Sequence, residues 1–550
     1  MNSREPARTL SGTLFISNRL SERLIWAGLV VLFVSLRLPG LTRLPVFDDE
    51  AIYMNAAADL FHGGLHSACH EGKPLHVLLL AIATPWAKDP LWAGRFTSIL
   101  VGLLGMLICG RLAERLFDER GAWHDAEGAD GTSARTAGLF AMLFCCASPM
   151  LFFLNRMALP DGLLTTTCAA ALLWGWDLGT QPSRRNAVRF GVALALAVLS
   201  KPPGLLLAIA PLAANYFGRR PEDGASRGSD FMRAYGRAVA VAASICALPL
   251  VIFLRKNVEI SKSVLTEQTV PLNELWLRNV RDAAEWLWFY WGPVTLLAGL
   301  GAMIWATILY YRNDRSRRCR LAGNPGGAIY LVCFAVVPIA AFVVVARVWF
   351  SRYLGFTTLP LVALLAIVIQ RLPLRPALRI ACGCSVGIAV LSTSWPLYRA
   401  LWLDPPSASL PVSDSTQYIT SWPSGYGTTE AAEWLKQVAR NVPNGILVVR
   451  HAPDDAANKH LLRFLLRGEP GILIQNADLL DPAIRAGVSK TTEPVYLFGL
   501  SPTFAPAGAR LSRSFLPCLG DRIARFEKPG RDVTVEIYLL RKQNCEASIQ

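Results

Sequence analysis

The sequence is poor in charge. Only 17% of its 550 residues are Asp, Glu, Lys or Arg, while 53% are hydrophobic. A soluble domain carries about 25% charge, so the deficit places much of the chain in lipid. A Gly-rich phosphate loop of the Walker type, zinc-finger spacing and an RNA-binding aromatic motif are all missing. Nucleic acid is therefore not expected as a partner, despite a formal charge of +15. The positive residues fall between apolar runs, as membrane topology signals do. There is no CxxC. Cys109, Cys145, Cys146, Cys168, Cys246, Cys333, Cys382 and Cys384 lie in apolar runs, where Cys behaves as a small hydrophobe. Cys518 and Cys545 lie in a polar tail where a disulfide could persist; spacing leaves that pairing open. No small-residue cleavage site follows the first apolar run. The N-terminus, with Arg4, Arg8, Arg19 and Arg23, is thus expected in the cytoplasm ahead of a first span rather than as a cleaved signal. No internal repeat or low-complexity segment stands out.

What is present is a series of apolar runs. A span needs about 20 mostly apolar residues. Spans are expected near 24–41, 91–112, 134–153, 161–178, 187–200, 203–217, 237–254, 286–310, 327–346, 353–370 and 378–396. The fold class expected is an α-helical polytopic membrane protein of about eleven transmembrane helices. With an inside N-terminus the short inner loops collect Arg111 to Arg135, Arg184 to Arg189, Arg219 to Arg237, Arg312 to Arg320 and Arg371 to Arg379. The short outer loops hold only Arg156, Lys201, Arg347 and Arg352. This asymmetry supports the orientation. It divides the chain into a cytoplasmic N-terminus (1–23), a transmembrane region (24–398) and an extracytoplasmic tail (399–550), in a cytoplasmic membrane.

Two outer segments are long. Residues 42–90 hold an acidic cluster, an amphipathic helix and an apolar stretch, Pro74 to Trp86, too short to span and read as interfacial. Residues 255–285 mix charges with apolar positions and read as a mobile loop over a lipid entrance. In the tail, Glu430 to Val442 reads as a helix, and Gly445 to Val449, Pro494 to Phe498 and Val533 to Leu540 as strands. That alternation predicts a small α/β domain.

Chemistry-bearing residues gather on the outer side. Asp48, Asp49 and Glu50 follow the first span; three adjacent carboxylates need a cation, a donor network or a shifted pKa. Their bland reading is an N-cap and acidic first turn, for which one acid would suffice. In His70-Glu71-Gly72-Lys73-Pro74, Lys73 could meet a phosphate as a point charge, or be an ordinary solvated lysine. His66, His70, Glu71 and His76 match no strong metal template. Arg156 and Asp161 share a tight outer loop; Lys201 precedes Pro202-Pro203-Gly204 and could equally be a snorkelling turn residue. Arg347 to Tyr353 sets two arginines among aromatics, suited to a phosphate and a sugar ring or to an anchoring belt. Together these supply a carboxylate that could take an acceptor's proton and cations that could stabilise a departing phosphate. A divalent metal could share that work.

Phe47-Asp48-Asp49-Glu50-Ala51-Ile52-Tyr53, Lys73-Pro74-Leu75, Arg156 to Asp161, Lys201 to Gly204 and Ser351-Arg352-Tyr353-Leu354 occur in that order. The series resembles the membrane-embedded C-type glycosyltransferases related to protein O-mannosyltransferases. It is most similar to the bacterial branch with the lipid A aminoarabinose transferase, over roughly residues 25–370. The resemblance implies a polyprenyl-phosphate or dolichyl-phosphate sugar donor, inversion at the anomeric carbon, and a lipid A, glycan, glycolipid or protein acceptor. It implies a base or metal-supporting role for Asp49, with Asp48 or Glu50 beside it, and a second acid at Asp161. It implies phosphate contacts from Lys73 and Arg352, with Lys201, Arg347 and Tyr353 as further donor-site candidates. In the aminoarabinose branch a Glu directly precedes Lys-Pro-Pro; here Glu71 is displaced by one place, which weakens a metal role for it.

Two other classes fit parts of the pattern. A secondary transporter or flippase would place ionisable groups at mid-membrane depth and show repeats, whereas these acids cluster at one face. A non-catalytic envelope-assembly protein would use the tail for binding and leave the acidic cluster inert.

Overall fold

The structure, a computed structural model, describes residues 19–63, 68–69, 72–117, 129–218, 226–266, 272–315, 325–347, 350–451, 459–477, 490–500, 519–531, 533–541 and 543. Cys518, Cys545, His66, His70 and Glu71 lie outside the described residues.

The apolar runs expected to span fall largely on helices, but the run over 134–153 is two helices parted at Ser148 and the run over 203–217 opens as a 3-10 segment. The helices are α1 (Arg19–Arg37), α2 (Asp48–Gly63), α3 (Pro74–Ala83), α4 (Pro90–Phe117), α5 (Ala129–Ala147), α6 (Pro149–Leu154), α7 (Pro160–Thr180) and α8 (Arg184–Ser200). A 3-10 segment, Pro202–Ile209, leads into α9 (Ala210–Phe217). Then come α10 (Ser226–Thr266), α11 (Leu272–Tyr290), α12 (Gly292–Arg315), α13 (Pro325–Val345), α14 (Gly355–Arg371) and α15 (Pro376–Leu403). Among the described residues five helices are long and apolar enough to cross a membrane alone, by length and composition. The protein is a multi-pass membrane protein.

Prolines and glycines set where helices start and bend. Pro90, Pro149, Pro160 and Pro376 open helices at positions where a missing N–H costs nothing. The run read as one span over 286–310 is broken: Glu274–Tyr290 and Gly292–Ile308 meet at 106°. Gly292 adopts φ +71° there, a left-handed turn residue that ends one helix and starts the next. Residues 255–285 also differ from the expected loop, since α10 runs to Thr266 and α11 begins at Leu272. Trp276, Leu277, Val280 and Trp288 on α11 are exposed apolar residues, as suits a helix lying along an interface.

The bundle core is formed where α14, buried along nearly its whole length, is surrounded by α4, α5, α7, α12 and α13. Small residues allow close approach: a Cβ on Gly105 would meet Thr166 Oγ1 at 2.5 Å, and one on Gly110 would meet Met142 Cγ at 3.0 Å. A second core joins α2 and the residues before it to α6, α11 and the tail. It brings Phe47, Tyr53 and Met54 together with Phe153, Trp286, Tyr290, Tyr418 and Leu461.

The tail carries α16 (Val412–Ser415), α17 (Thr428–Arg440) and α18 (Lys459–Leu466) with a five-stranded sheet of order β2-β1-β3-β5-β4. Its strands are β1 (Ile446–His451), β2 (Ile472–Ala477), β3 (Val495–Leu500), β4 (Leu519–Glu527) and β5 (Thr534–Leu540). β1 pairs in parallel with β2 and β3, and β5 antiparallel with β3 and β4. The connection through α18 supplies the crossover that a parallel pair requires. The expected helix and three strands are present; β2 and the half-exposed, charged β4 carry no clear sequence signal. Asp59 of α2 pairs with Arg463 and Arg467 of the tail, each at 2.9 Å. Asn55 Nδ2 also donates to the His460 carbonyl at 2.8 Å. α2 and α18 of the tail thus pack together.

Candidate active site

The three adjacent acids begin α2, where carboxylates sit favourably against the N-terminal dipole. Successive helical residues point about 100° apart, and the three side chains part company accordingly.

Glu50 is fully buried. Its Oε1 accepts from Arg95 Nε at 2.9 Å and the Ala158 N–H at 2.7 Å; its Oε2 accepts from Arg95 Nη2 at 2.6 Å and the Phe47 N–H at 3.0 Å. The Phe47 contact is a capping-box bond from the third helical residue back to the residue before the helix. Arg95 also donates to the carbonyls of Leu41, Leu44 and Pro45. Arg156, expected near the chemistry, instead ties the end of α1 through the carbonyls of Arg37, Pro39 and Gly40.

Asp48 points toward the tail. Its backbone N–H bonds the Pro423 carbonyl at 3.0 Å, and its side chain is buried. Burial first, and then neighbouring Asp49, pushes its carboxyl up to about 7, against the Leu461 N–H and the charges of Arg450 and Lys528. Lys528 is itself buried, donates to the Ser424 carbonyl at 2.5 Å, and is pushed down to about 7 by burial.

Asp49 faces a third way, and its Oδ2 lies 2.8 Å from Arg352 Nη2. Arg352 sits in a 3-10 turn, Ser351–Leu354, ahead of α14. Its guanidinium lies 4.7 Å from the Phe350 ring and 5.6 Å from the Phe47 ring. Beside it, Asp161 in the first turn of α7 meets Lys201 Nζ at 2.7 Å. Lys201 Nζ stands 4.0 Å from the centre of the Tyr353 ring. The extended backbone of Lys201, held between α8 and Pro202, turns the lysine inward. Lys73 precedes α3, bonds the Tyr53 hydroxyl and lies 4.7 Å from its ring centre. Its charge acts on both Asp161 and Lys201.

The structure therefore brings Asp49, Asp161, Lys73, Lys201, Arg352 and Tyr353 into one cluster. Glu50 and Asp48 flank it and turn away. Arg347 is exposed on the preceding loop, its carbonyl accepting from Arg278. A groove of about 480 Å³ beside α15, lined by Phe289, Leu397 and Arg399 among others, shares no lining residue with this cluster.

The cluster sets three cations against two carboxylates, and the deciding detail is at Arg352. Its Nε and Nη1 are buried and have no hydrogen-bond partner among the described residues. Buried polar groups are nearly always paired, and guanidinium donors match phosphate oxygens geometrically. An anion rich in acceptors therefore suits the site. Among the described residues no three His, Cys, Asp or Glu side chains converge as metal ligands. Asp49 and Asp161 each face a cation instead.

Sequence reading missed three contributors. Arg95 is a lone charge inside an apolar run, a signal that was available. Asp414 accepts from Ser351 Oγ at 2.7 Å and Tyr290 Oη at 2.5 Å, bracing the turn that carries Arg352. Burial pushes Asp414 up to about 6. Tyr418 packs 4.8 Å from Phe47 and 5.0 Å from Phe153, ring centre to ring centre. Neither residue belongs to a recognisable motif.

No protein-family model and no curated protein matches the chain. Solved structures do. ArnT from Cupriavidus metallidurans in the apo state aligns with 96% of this chain and 98% of its own, at TM-score 0.55 and 16% identity. The same protein bound to undecaprenyl phosphate aligns with 94% and 97%, at TM-score 0.55 and 15% identity. The S. cerevisiae Pmt1-Pmt2 complex bound to the sugar donor aligns with 44% of this chain and 34% of its own, at TM-score 0.31 and 17% identity. Over nearly its whole length the chain has the fold of ArnT.

Proposed function

We propose that the protein is an inverting glycosyltransferase that moves a sugar from a polyprenyl-phosphate donor to an envelope acceptor. The acceptor class is a lipid A, glycan, glycolipid or protein hydroxyl, met at the outer face of the cytoplasmic membrane. The observation that carries the reading is Arg352, whose buried Nε and Nη1 lack acceptors beside Lys201, Lys73 and two carboxylates. The likeness to ArnT, whose structure has been solved with undecaprenyl phosphate, supports the choice of anion.

In this reading Arg352, Lys201 and Lys73 hold the donor phosphate, and Tyr353 lines the sugar side. Asp161 keeps Lys201 in place. Asp49 takes the proton from the acceptor hydroxyl, whose oxygen attacks the anomeric carbon. The new C–O bond forms as the bond to the phosphate oxygen breaks, and its electron pair leaves on the polyprenyl phosphate. Glu50 and Asp48 position the loop rather than react. The extents 24–398 for the membrane region and 399–550 for an outer domain, with a cytoplasmic N-terminus, complete the proposal.

The test is sugar transfer from mixed polyprenyl-phosphate donors to membrane extract, comparing wild type with Asp49→Asn. Transfer lost by about a hundredfold or more in a folded variant is the expected result, in the range of general-base removal. Equal transfer by both would remove Asp49 from the mechanism.

A further inference from the structure

Tyr418 is a buried phenol that the mechanism above does not use. It lies in the segment that leads from the membrane region into the tail, within a short π-helical turn, Thr416–Thr420. Such turns are rare and concentrate at functional sites. The side chain is 2% exposed, and its hydroxyl is buried with no hydrogen-bond partner among the described residues. A phenol placed in a core normally finds a partner for its O–H. The ring cannot swing away, because Phe47 and Phe153 hold it from two sides.

Phe47 links Tyr418 to the site. The same ring packs on Tyr418 and lies beneath the Arg352 guanidinium. Arg352 is the charge that acts most strongly on the Tyr418 hydroxyl, followed by Asp414, Asp161 and Asp49. Burial pushes the phenol upward, so it stays protonated and remains a donor. Three buried donors with no acceptor among the described residues thus belong to one neighbourhood: Tyr418 O–H and Arg352 Nε–H and Nη1–H.

We infer that Tyr418 is a binding residue of the donor site, its hydroxyl donating to the phosphate held by Arg352. The inference rests on the donor-phosphate reading above. It makes the tail part of the active site, since the segment that opens it supplies one of the phosphate's donors. The same segment carries Asp414, which braces Ser351 next to Arg352. Docking of the tail and completion of the phosphate site are then one event.

The experiment measures thermal stabilisation of the full-length protein in detergent micelles by undecaprenyl phosphate and, separately, by the uncharged polyprenol. Wild type is compared with Tyr418→Phe, which keeps the ring and removes only the hydroxyl. Wild type is expected to respond to the phosphate lipid and not to polyprenol. Tyr418→Phe is expected to need roughly tenfold more phosphate lipid for the same stabilisation, the lower end for a hydrogen bond to a charged group. Without lipid its Tm should equal or exceed the wild type's, because an unpartnered buried hydroxyl has been replaced by an apolar group. Equal phosphate response in both proteins would overturn the role of Tyr418 while leaving the donor site intact. A lowered Tm without lipid and unchanged affinity would make the hydroxyl structural and overturn it too. A wild type that does not tell the phosphate lipid from polyprenol would remove both this inference and the donor-phosphate reading.

Discussion

Two buried arginines of this protein have opposite bonding. Arg95 is fully buried, and its donors are used by Glu50 and by three backbone carbonyls of the loop after α1. Arg352 is almost as buried, yet two of its donor nitrogens face no acceptor. Removing a guanidinium from water costs several kcal/mol unless its donors are met. Arg95 offsets that cost within the fold. Arg352 leaves part of it standing among the described residues. In the proposed reading, the difference separates an arginine that shapes the site from one that serves it.

The sharpest way to break this comparison is to neutralise the partner of Arg95. Glu50→Gln leaves a buried guanidinium facing a neutral amide, a change that costs about 3–5 kcal/mol when one partner of a buried pair is lost. The expected result is a large fall in Tm and poor recovery of folded protein, measured by fluorescence-detected unfolding. If Glu50→Gln is stable and only inactive, Glu50 belongs with the reacting groups and the comparison fails.

Arg352→Gln is expected to do the reverse. Sugar transfer should fall by about 10²–10³-fold, the range for removing one preorganised donor to developing charge, while Tm changes little. It loses an incompletely bonded cation, so the fold has less to lose. A Tm drop as large as that of Glu50→Gln would show that Arg352 is structural.

The sequence made one side of this contrast legible and hid the other. Apolar runs located most of the long helical segments, because lipid imposes length and composition directly. The ordered motifs also located Asp49, Asp161, Lys73, Lys201 and Arg352. What could not be read was which of three neighbouring acids meets which cation. Asp48, Asp49 and Glu50 look alike in sequence, and helical rotation alone sends them to the tail, to Arg352 and to Arg95. Asp414 and Tyr418 were invisible for another reason. They lie more than sixty positions beyond Arg352 in a polar stretch without periodicity, and only tertiary packing brings them to it. The break at Trp291 was hidden because an apolar run has the same composition whether straight or bent.

The smallest effect concerns Asp48, the acid intermediate between the other two. It is buried like Glu50, but its Oδ1 has no hydrogen-bond partner. Burial and the charge of Asp49 push its carboxyl from 3.8 up to about 7. A folded-state value above the unfolded one means that the folded protein binds this proton more tightly. The associated stability is complete below pH 3.8 and is lost as pH rises through about 7. Within that window the slope is at most about 1.4 kcal/mol per pH unit. Lys528, pushed down from 10.5 to about 7, acts in the opposite direction and above this window, adding stability as pH rises from 7. Asp48→Asn, which mimics the protonated acid, should therefore flatten the decline of Tm between about pH 4 and 7. It should also make the protein more stable than wild type at pH 7. Unfolding curves collected across that range test it. A parallel decline in both proteins would mean that Asp48 is ionised and paired in the folded state, and would move it beside Glu50 among the satisfied groups.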